Sequence, residues 1–265
     1  MNKNEANMNE NDRSEQIEHT LPRGLYITTK IGKEHDAKNL IADTVVGKYI
    51  NDFDAVLLDA GSTAELIAEK MFVEKKFLSV LTNNMGAYAA YTRAGKSIKS
   101  SDNVKDIPNN GNELLISGGR YVDVYEALLG ERAISSIENF TPNVIIIGTS
   151  GLTCEGGIFC HGSEESAVKK LLWTKPTDTR LIATDWTKIG KIDALAFGTM
   201  SEFHINAKKA VVVTSVPPKE LYKKEPKRVQ EFEDQLSRME KDFSIIVERI
   251  SIPISKIDDV NVADR

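Results

Sequence analysis

Cysteine is nearly absent from this chain: Cys154 and Cys160 are the two in 265 residues. That excludes a disulfide framework. A zinc site built on the pair would need two further ligands nearby, and only His161 adjoins them, so both read as ordinary thiols and no metal or other cofactor is expected. No apolar run approaches the roughly 20 residues that span a bilayer, which excludes a helical membrane protein. The first twenty residues also lack the apolar core of a signal peptide, so a cytoplasmic location is the expectation. Positive charge is not in excess either, since 34 basic residues face 39 acidic ones for a net charge of −5. The field of the whole chain therefore does not favour DNA or anionic lipid, and any anion must be held by local groups.

What is present is the balance of a soluble globular protein, 41% hydrophobic and 28% charged, at a length that suits one large α/β domain. Residues 1–22 are rich in Asn and Glu with little to bury, and read as a disordered acidic tail. Residues 23–265 read as one domain, in which 95–111 is a surface loop and 219–265 supplies a C-terminal helix and strand. Short aliphatic runs alternate with amphipathic segments: Ala55–Asp59, Leu78–Thr82, Glu113–Ser117, Val144–Ile147, Leu181–Thr184 and Ala210–Thr214 each stop at small polar residues or glycine. Continuous apolar strands alternating with helices predict a three-layer, Rossmann-like α/β domain with a mainly parallel sheet, whose ligands sit at the carboxyl ends of the strands. In the segment Lys227–Lys241, Val229, Phe232, Leu236 and Met239 make one apolar stripe. It covers the sheet in the plainer reading and forms a dimer interface in the other.

The polar residues at the strand ends are the candidates for chemistry. Asp59-Ala-Gly-Ser-Thr63 ends a strand and opens a helix, so the N–H groups of the first turn and the hydroxyls of Ser62 and Thr63 suit a phosphate. Either hydroxyl is equally explained as a helix N-cap. Thr82 and Asn83 offer uncharged groups suited to sugar hydroxyls, and Gly118-Gly119-Arg120 adds close backbone approach with a cation. Glu165 and Lys169 stand four apart on a helix, which by itself describes an exposed ion pair. Asp185 and Lys188 follow one more strand end.

These pieces occur together in an order that resembles the C-terminal effector-sensing domain of DeoR-type transcriptional regulators. The likeness is carried by Ile41-Ala42, Asp59-Ala-Gly-Ser-Thr63, Val80-Leu-Thr-Asn-Asn84, Ser117-Gly-Gly119, Leu129-Gly130, Glu165 with Lys169, and Asp185-x-x-Lys188. It implies a fold related to ribose-5-phosphate isomerase, glucosamine-6-phosphate deaminase and CoA transferases. It also implies a homo-oligomer that binds a phosphorylated sugar or related metabolite, with phosphate at Gly61 to Thr63, hydroxyls near Asp59, Thr82 and Asn83, and Lys169 and Lys188 near the anion. DeoR-type regulators begin with a winged helix-turn-helix, whereas an acidic tail precedes the domain here, so no direct DNA binding is expected from this chain alone. The alternative is a sugar-phosphate isomerase or deaminase with Asp59, Asp185 or Glu165 as general base and Lys169 or Lys188 as electrostatic stabiliser. The related enzymes carry catalytic carboxylates where this chain has Gly148-Thr-Ser-Gly151, which favours binding over turnover.

Overall fold

The structure, a computed structural model, describes residues 34–99 and 108–251. The acidic tail lies outside the described residues. The elements run α1 (His35–Tyr49), β1 (Ala55–Leu58), α2 (Ser62–Glu74), β2 (Ser79–Thr82), α3 (Met85–Lys99), β3 (Glu113–Ile116), β4 (Arg120–Val122), β5 (Ala127–Leu129), α4 (Glu131–Glu138), β6 (Val144–Ile147), β7 (Gly151–Thr153), β8 (Gly157–Cys160), α5 (Ser163–Thr174), β9 (Thr177–Thr184), β10 (Leu195–Gly198), β11 (Ala207–Ser215), α6 (Leu221–Lys224), α7 (Pro226–Phe243) and β12 (Ile246–Ile250). Seven strands form one sheet in the order β12-β11-β9-β6-β1-β2-β3, and every pairing in it is parallel.

The strands are apolar on both faces because both faces are covered. Val56, Leu58, Val144, Ile146, Leu181 and Val211 point to a core completed by Ile41 and Val45 of α1, Ile67 and Met71 of α2, and the alanines of α3. Their neighbours Leu57, Ile145, Ile147, Ile182 and Val212 point the other way, toward α4, α5 and α7. The result is the three-layer arrangement that the alternation of strands and helices predicts.

One expectation is redrawn, and of the two readings of the α7 stripe the plainer one holds. Helix α3 runs on to Lys99, into the stretch read as loop, and the chain returns through a turn at Pro108–Gly111; residues 100–107 lie outside the described residues. The α7 stripe is spent inside the chain: Phe232, Leu236 and Met239 are fully buried and Val229 nearly so. It covers the sheet, so the stripe is no argument for an interface. The sequence pattern also gave no sign of the small antiparallel sheet β10-β8-β7 or the ribbon β4-β5, whose strands are mostly three or four residues long.

Candidate functional site

The direction of the strand order changes between β1 and β6. From β1 the sheet grows outward through β2 and β3, and from β6 through β9, β11 and β12. Loops leaving the carboxyl ends of such a pair diverge and open a crevice. A cavity of about 820 Å³ lies there, lined by Asp59 to Ala64, Gly148 to Ser150, Glu165, Lys169 and Ala183 to Lys188, and closed by Glu225, Arg228 and Glu231 from α6–α7.

Asp59 and Lys169, at 1% and 2% exposure, are the most deeply buried of the charged residues that line this cavity among the described residues, followed by Lys38 and Asp185 at 4%. One Asp59 carboxylate oxygen accepts the Gly148 N–H at 3.0 Å and the Lys169 ammonium. Lys169 also donates to the Gly148 carbonyl at 2.8 Å, and Glu165 stands 3.5 Å away. The exposed ion pair expected from the spacing of Glu165 and Lys169 is therefore corrected: the lysine turns inward to Asp59, 110 positions earlier. Burial alone would lower the ammonium's pKa, but Asp59 and Glu165 outweigh it and raise it, so Lys169 keeps its proton.

Gly61, not Ser62 or Thr63, occupies the N-cap of α2, with φ +132°, and among the described residues no side chain caps the turn. A glycine suits that backbone angle, which L side chains rarely adopt. The first-turn N–H groups of Ser62, Thr63 and Ala64 thus stand at the cavity with no side-chain acceptor among the described residues. Across the cavity, Asp185 accepts the Thr187 N–H at 3.1 Å and the Thr187 hydroxyl, shaping the turn that carries Lys188. Arg228 holds the same turn from α7, donating to the carbonyls of Thr187 at 3.3 Å and Ile189 at 2.7 Å with its guanidinium 5.9 Å from the Trp186 ring.

Of the residues singled out from sequence, Asp59, Gly61, Ser62, Thr63, Asn83, Glu165, Lys169, Asp185 and Lys188 line this one cavity. Thr82, Gly118 and Gly119 do not. The Thr82 hydroxyl is fully buried, donating to the Leu58 carbonyl at 2.6 Å and accepting the Asn84 N–H at 3.0 Å, so it ties β2 to β1. At Gly119, with φ +111°, a Cβ would lie 2.6 Å from the Leu129 carbonyl oxygen; the diglycine lets the turn after β3 pass against β5. Asn83 is partly committed as well, through its amide to the Leu128 carbonyl at 3.3 Å.

The sequence reading missed Tyr125, His161 and Arg228 as cavity residues. The His161 Nδ1 is 2.9 Å from a carboxylate oxygen of Asp193, and its backbone N–H donates to Glu165 at 3.3 Å. No spacing reveals that pair, because the residues meet only when the connection after β9 folds back past β8.

A three-layer α/β domain with a polar cavity at the switch point of a parallel sheet has the build of a small-molecule-site domain. Residues 33–207 match the family described as the DeoR C terminal sensor domain, and the chain belongs to that family. It is 25% identical over 192 residues to the HTH-type transcriptional regulator GlpR of Haloferax volcanii, covering 69% of this chain and 68% of that protein. It is 26% identical over 155 residues to the transcriptional repressor AccR of Agrobacterium fabrum, covering 58% and 53%. A solved structure of ribose 5-phosphate isomerase A from Methanocaldococcus jannaschii aligns with a TM-score of 0.39 at 12% identity, over 59% of this chain and about half (55%) of that one. Family membership and regulator relatives together support a regulatory sensing role. Among the described residues no helix is long and apolar enough to cross a membrane.

Proposed function

We propose that this domain senses a phosphorylated sugar or a related phosphorylated metabolite, and that binding rather than turnover is its function. The observation that carries the reading is the uncapped first turn of α2, opening on the same cavity as Lys188 and the paired Lys169. The turn offers oriented N–H donors and the positive end of the helix dipole, which suit a phosphate. The carboxylates and Asn83 supply partners for hydroxyls.

The enzyme alternative needs a general base that is free to take a proton. Asp59 has its buried oxygen committed to Gly148 and Lys169, and Asp185 has one committed to Thr187, which counts against both. Two further parts of the proposal rest on other grounds. Assembly into a homo-oligomer follows the family resemblance alone, and the chain by itself is not expected to bind duplex DNA, because its net charge is −5.

The test is a thermal-shift screen against sugar phosphates, followed by titration and a turnover assay on each hit. A hit should raise Tm in a concentration-dependent way, Ser62→Asp should abolish the shift by like-charge repulsion, and no product should form. A ligand that stabilises the parent and Ser62→Asp equally would move the pocket elsewhere, and turnover of a hit would restore the enzyme reading.

A further inference from the structure

The connection from β11 to α7 is anchored at its two ends. The Val216 N–H donates to the Ile250 carbonyl at 2.9 Å, and on the far side of α6 the side chains of Val229 and Phe232 are buried. From Pro218 to Glu225 no side chain is buried, and Leu221 packs against the core from a half-buried position. The N–H groups of Leu221 and Glu225 donate to the Pro218 and Leu221 carbonyls at 3.0 and 2.8 Å, and those of Lys223 and Lys224 to the Glu220 carbonyl. These backbone bonds close within the segment, so it can swing as a unit with few contacts to break. Glu225, at φ −133° and ψ +56°, separates α6 from α7 and marks one end of that unit.

Leu221 and Glu225 also line the cavity, so this strap is one of its walls. The walls at Asp59, Gly148 and Lys169 are fixed by the pairing of β1 with β6 and by the buried ion pair. Arg228, just past the strap, is fastened to the Thr187 and Ile189 carbonyls, which keeps α7 in place when the strap moves. The strap lies beyond residues 33–207, the part that matches the family. It is also basic: residues 219–228 carry five basic side chains and two acidic ones in a chain of net charge −5, and Lys219, Lys223, Lys224 and Lys227 are exposed. Charge of one sign gathered at the mouth of a cavity speeds the arrival of ions of the other sign.

Resting on the sugar-phosphate reading above, we infer that residues 218–225 are a strap that opens to admit the ligand and closes over it, with Leu221 as its catch and the four lysines drawing the phosphorylated ligand in. Leu221 sets how often the strap is open, and hence the rate of release. The lysines set the rate of arrival.

Limited trypsin digestion of the full chain, with cuts located by fragment mass, and stopped-flow binding followed by tryptophan fluorescence test this with ribose 5-phosphate, fructose 6-phosphate and glucose 6-phosphate as probes. Cutting at Lys223 and Lys224 tracks the population of the open strap. Without any probe, Leu221→Ser should be cut there about tenfold faster than the parent. A probe that binds the parent should slow the parent's cutting at these sites several-fold and should leave Leu221→Ser several-fold faster than it leaves the parent. Replacing Lys219, Lys223, Lys224 and Lys227 together by Gln should lower the association rate about tenfold at low ionic strength and remove most of its salt dependence, with dissociation within about twofold of the parent. If Leu221→Ser proves unfolded by its melting curve, Leu221→Ala decides the matter on the same criteria. Cutting in Leu221→Ser no faster than in the parent, cutting of the parent indifferent to a bound probe, or an association rate untouched by the lysine substitutions overturns the inference and leaves the sugar-phosphate reading standing. Failure of every sugar phosphate to bind the parent overturns that reading and this inference with it.

Discussion

Replacing Lys169 by Met is the sharpest perturbation of this site, because it separates a buried network from a surface pair by magnitude. An exposed Glu165/Lys169 pair would be worth a few tenths of a kcal/mol. In the structure Lys169 and Asp59 are 2% and 1% exposed, and the ammonium also donates to the Gly148 carbonyl at 2.8 Å. Removing the lysine leaves a buried carboxylate with the Gly148 N–H as its remaining donor there. Loss of one partner of a buried ion pair costs about 3–5 kcal/mol, which in a domain of this size lowers Tm by roughly 6–20 °C. Asp59→Asn should cost less, because Glu165 stays 3.5 Å from the ammonium. The double variant should cost clearly less than the sum of the two, since neither charge is then stranded. Protonating Asp59 relieves the stranded charge in Lys169→Met, so its deficit should shrink as pH falls. Urea unfolding followed by the fluorescence of Trp173 and Trp186 measures all of these. A deficit under about 1 kcal/mol, or additive costs in the double variant, would refute the reasoning.

Other expectations follow from single contacts. At Gly190, φ is +80° and a Cβ would lie 2.8 Å from Arg228 Nη1, so Gly190→Ala should cost about 1–3 kcal/mol in urea melts and weaken ligand affinity by unseating α7 from the Asp185–Lys188 turn. Phe232→Ala should cost about 3–5 kcal/mol because its ring is fully buried, while light scattering should show the same assembly state as the parent. Burial, followed by the Glu165 charge, pushes the Cys160 thiol from its ordinary 9 up to about 11. The folded state then holds a proton that the unfolded chain has lost, so stability present below about pH 9 should decline toward pH 11, and Cys160→Ala should lack that decline. An identical alkaline profile in the two proteins would contradict it.

The fold class was legible because strands buried on two faces must be apolar throughout, and Val144–Ile147 or Ala210–Thr214 can be read in no other economical way beside their helices. The strand-end polar residues were legible for the same reason, since the chain has to leave the sheet there. Direction was not legible. Lys169 carries the spacing of a surface pair and is pulled inward by Asp59, a residue whose relevance depends on β1 and β6 lying side by side. Thr82 shows the reverse, a hydroxyl at a strand end that the fold spends on the Leu58 carbonyl. The His161–Asp193 pair and Arg228 came from connections and a helix that carry no spacing signal, and local pattern has nothing to say about which loops converge.

The seam between β1 and β6 also bears on how the protein comes into being. Asp59 and the Gly148 backbone it binds are 89 positions apart, with β2, β3, the three helices α2, α3 and α4, and the β4-β5 ribbon between them. During synthesis at about 5–20 residues per second, the apolar edge of β1 waits roughly 4–18 seconds for its partner strand. The β1-β2-β3 half can gather from near neighbours, but the crevice cannot exist until the later half docks along that edge. Nascent chains are therefore most exposed to misassembly at the edge that later underlies the cavity, and ligand added during refolding should act on the last step rather than the first.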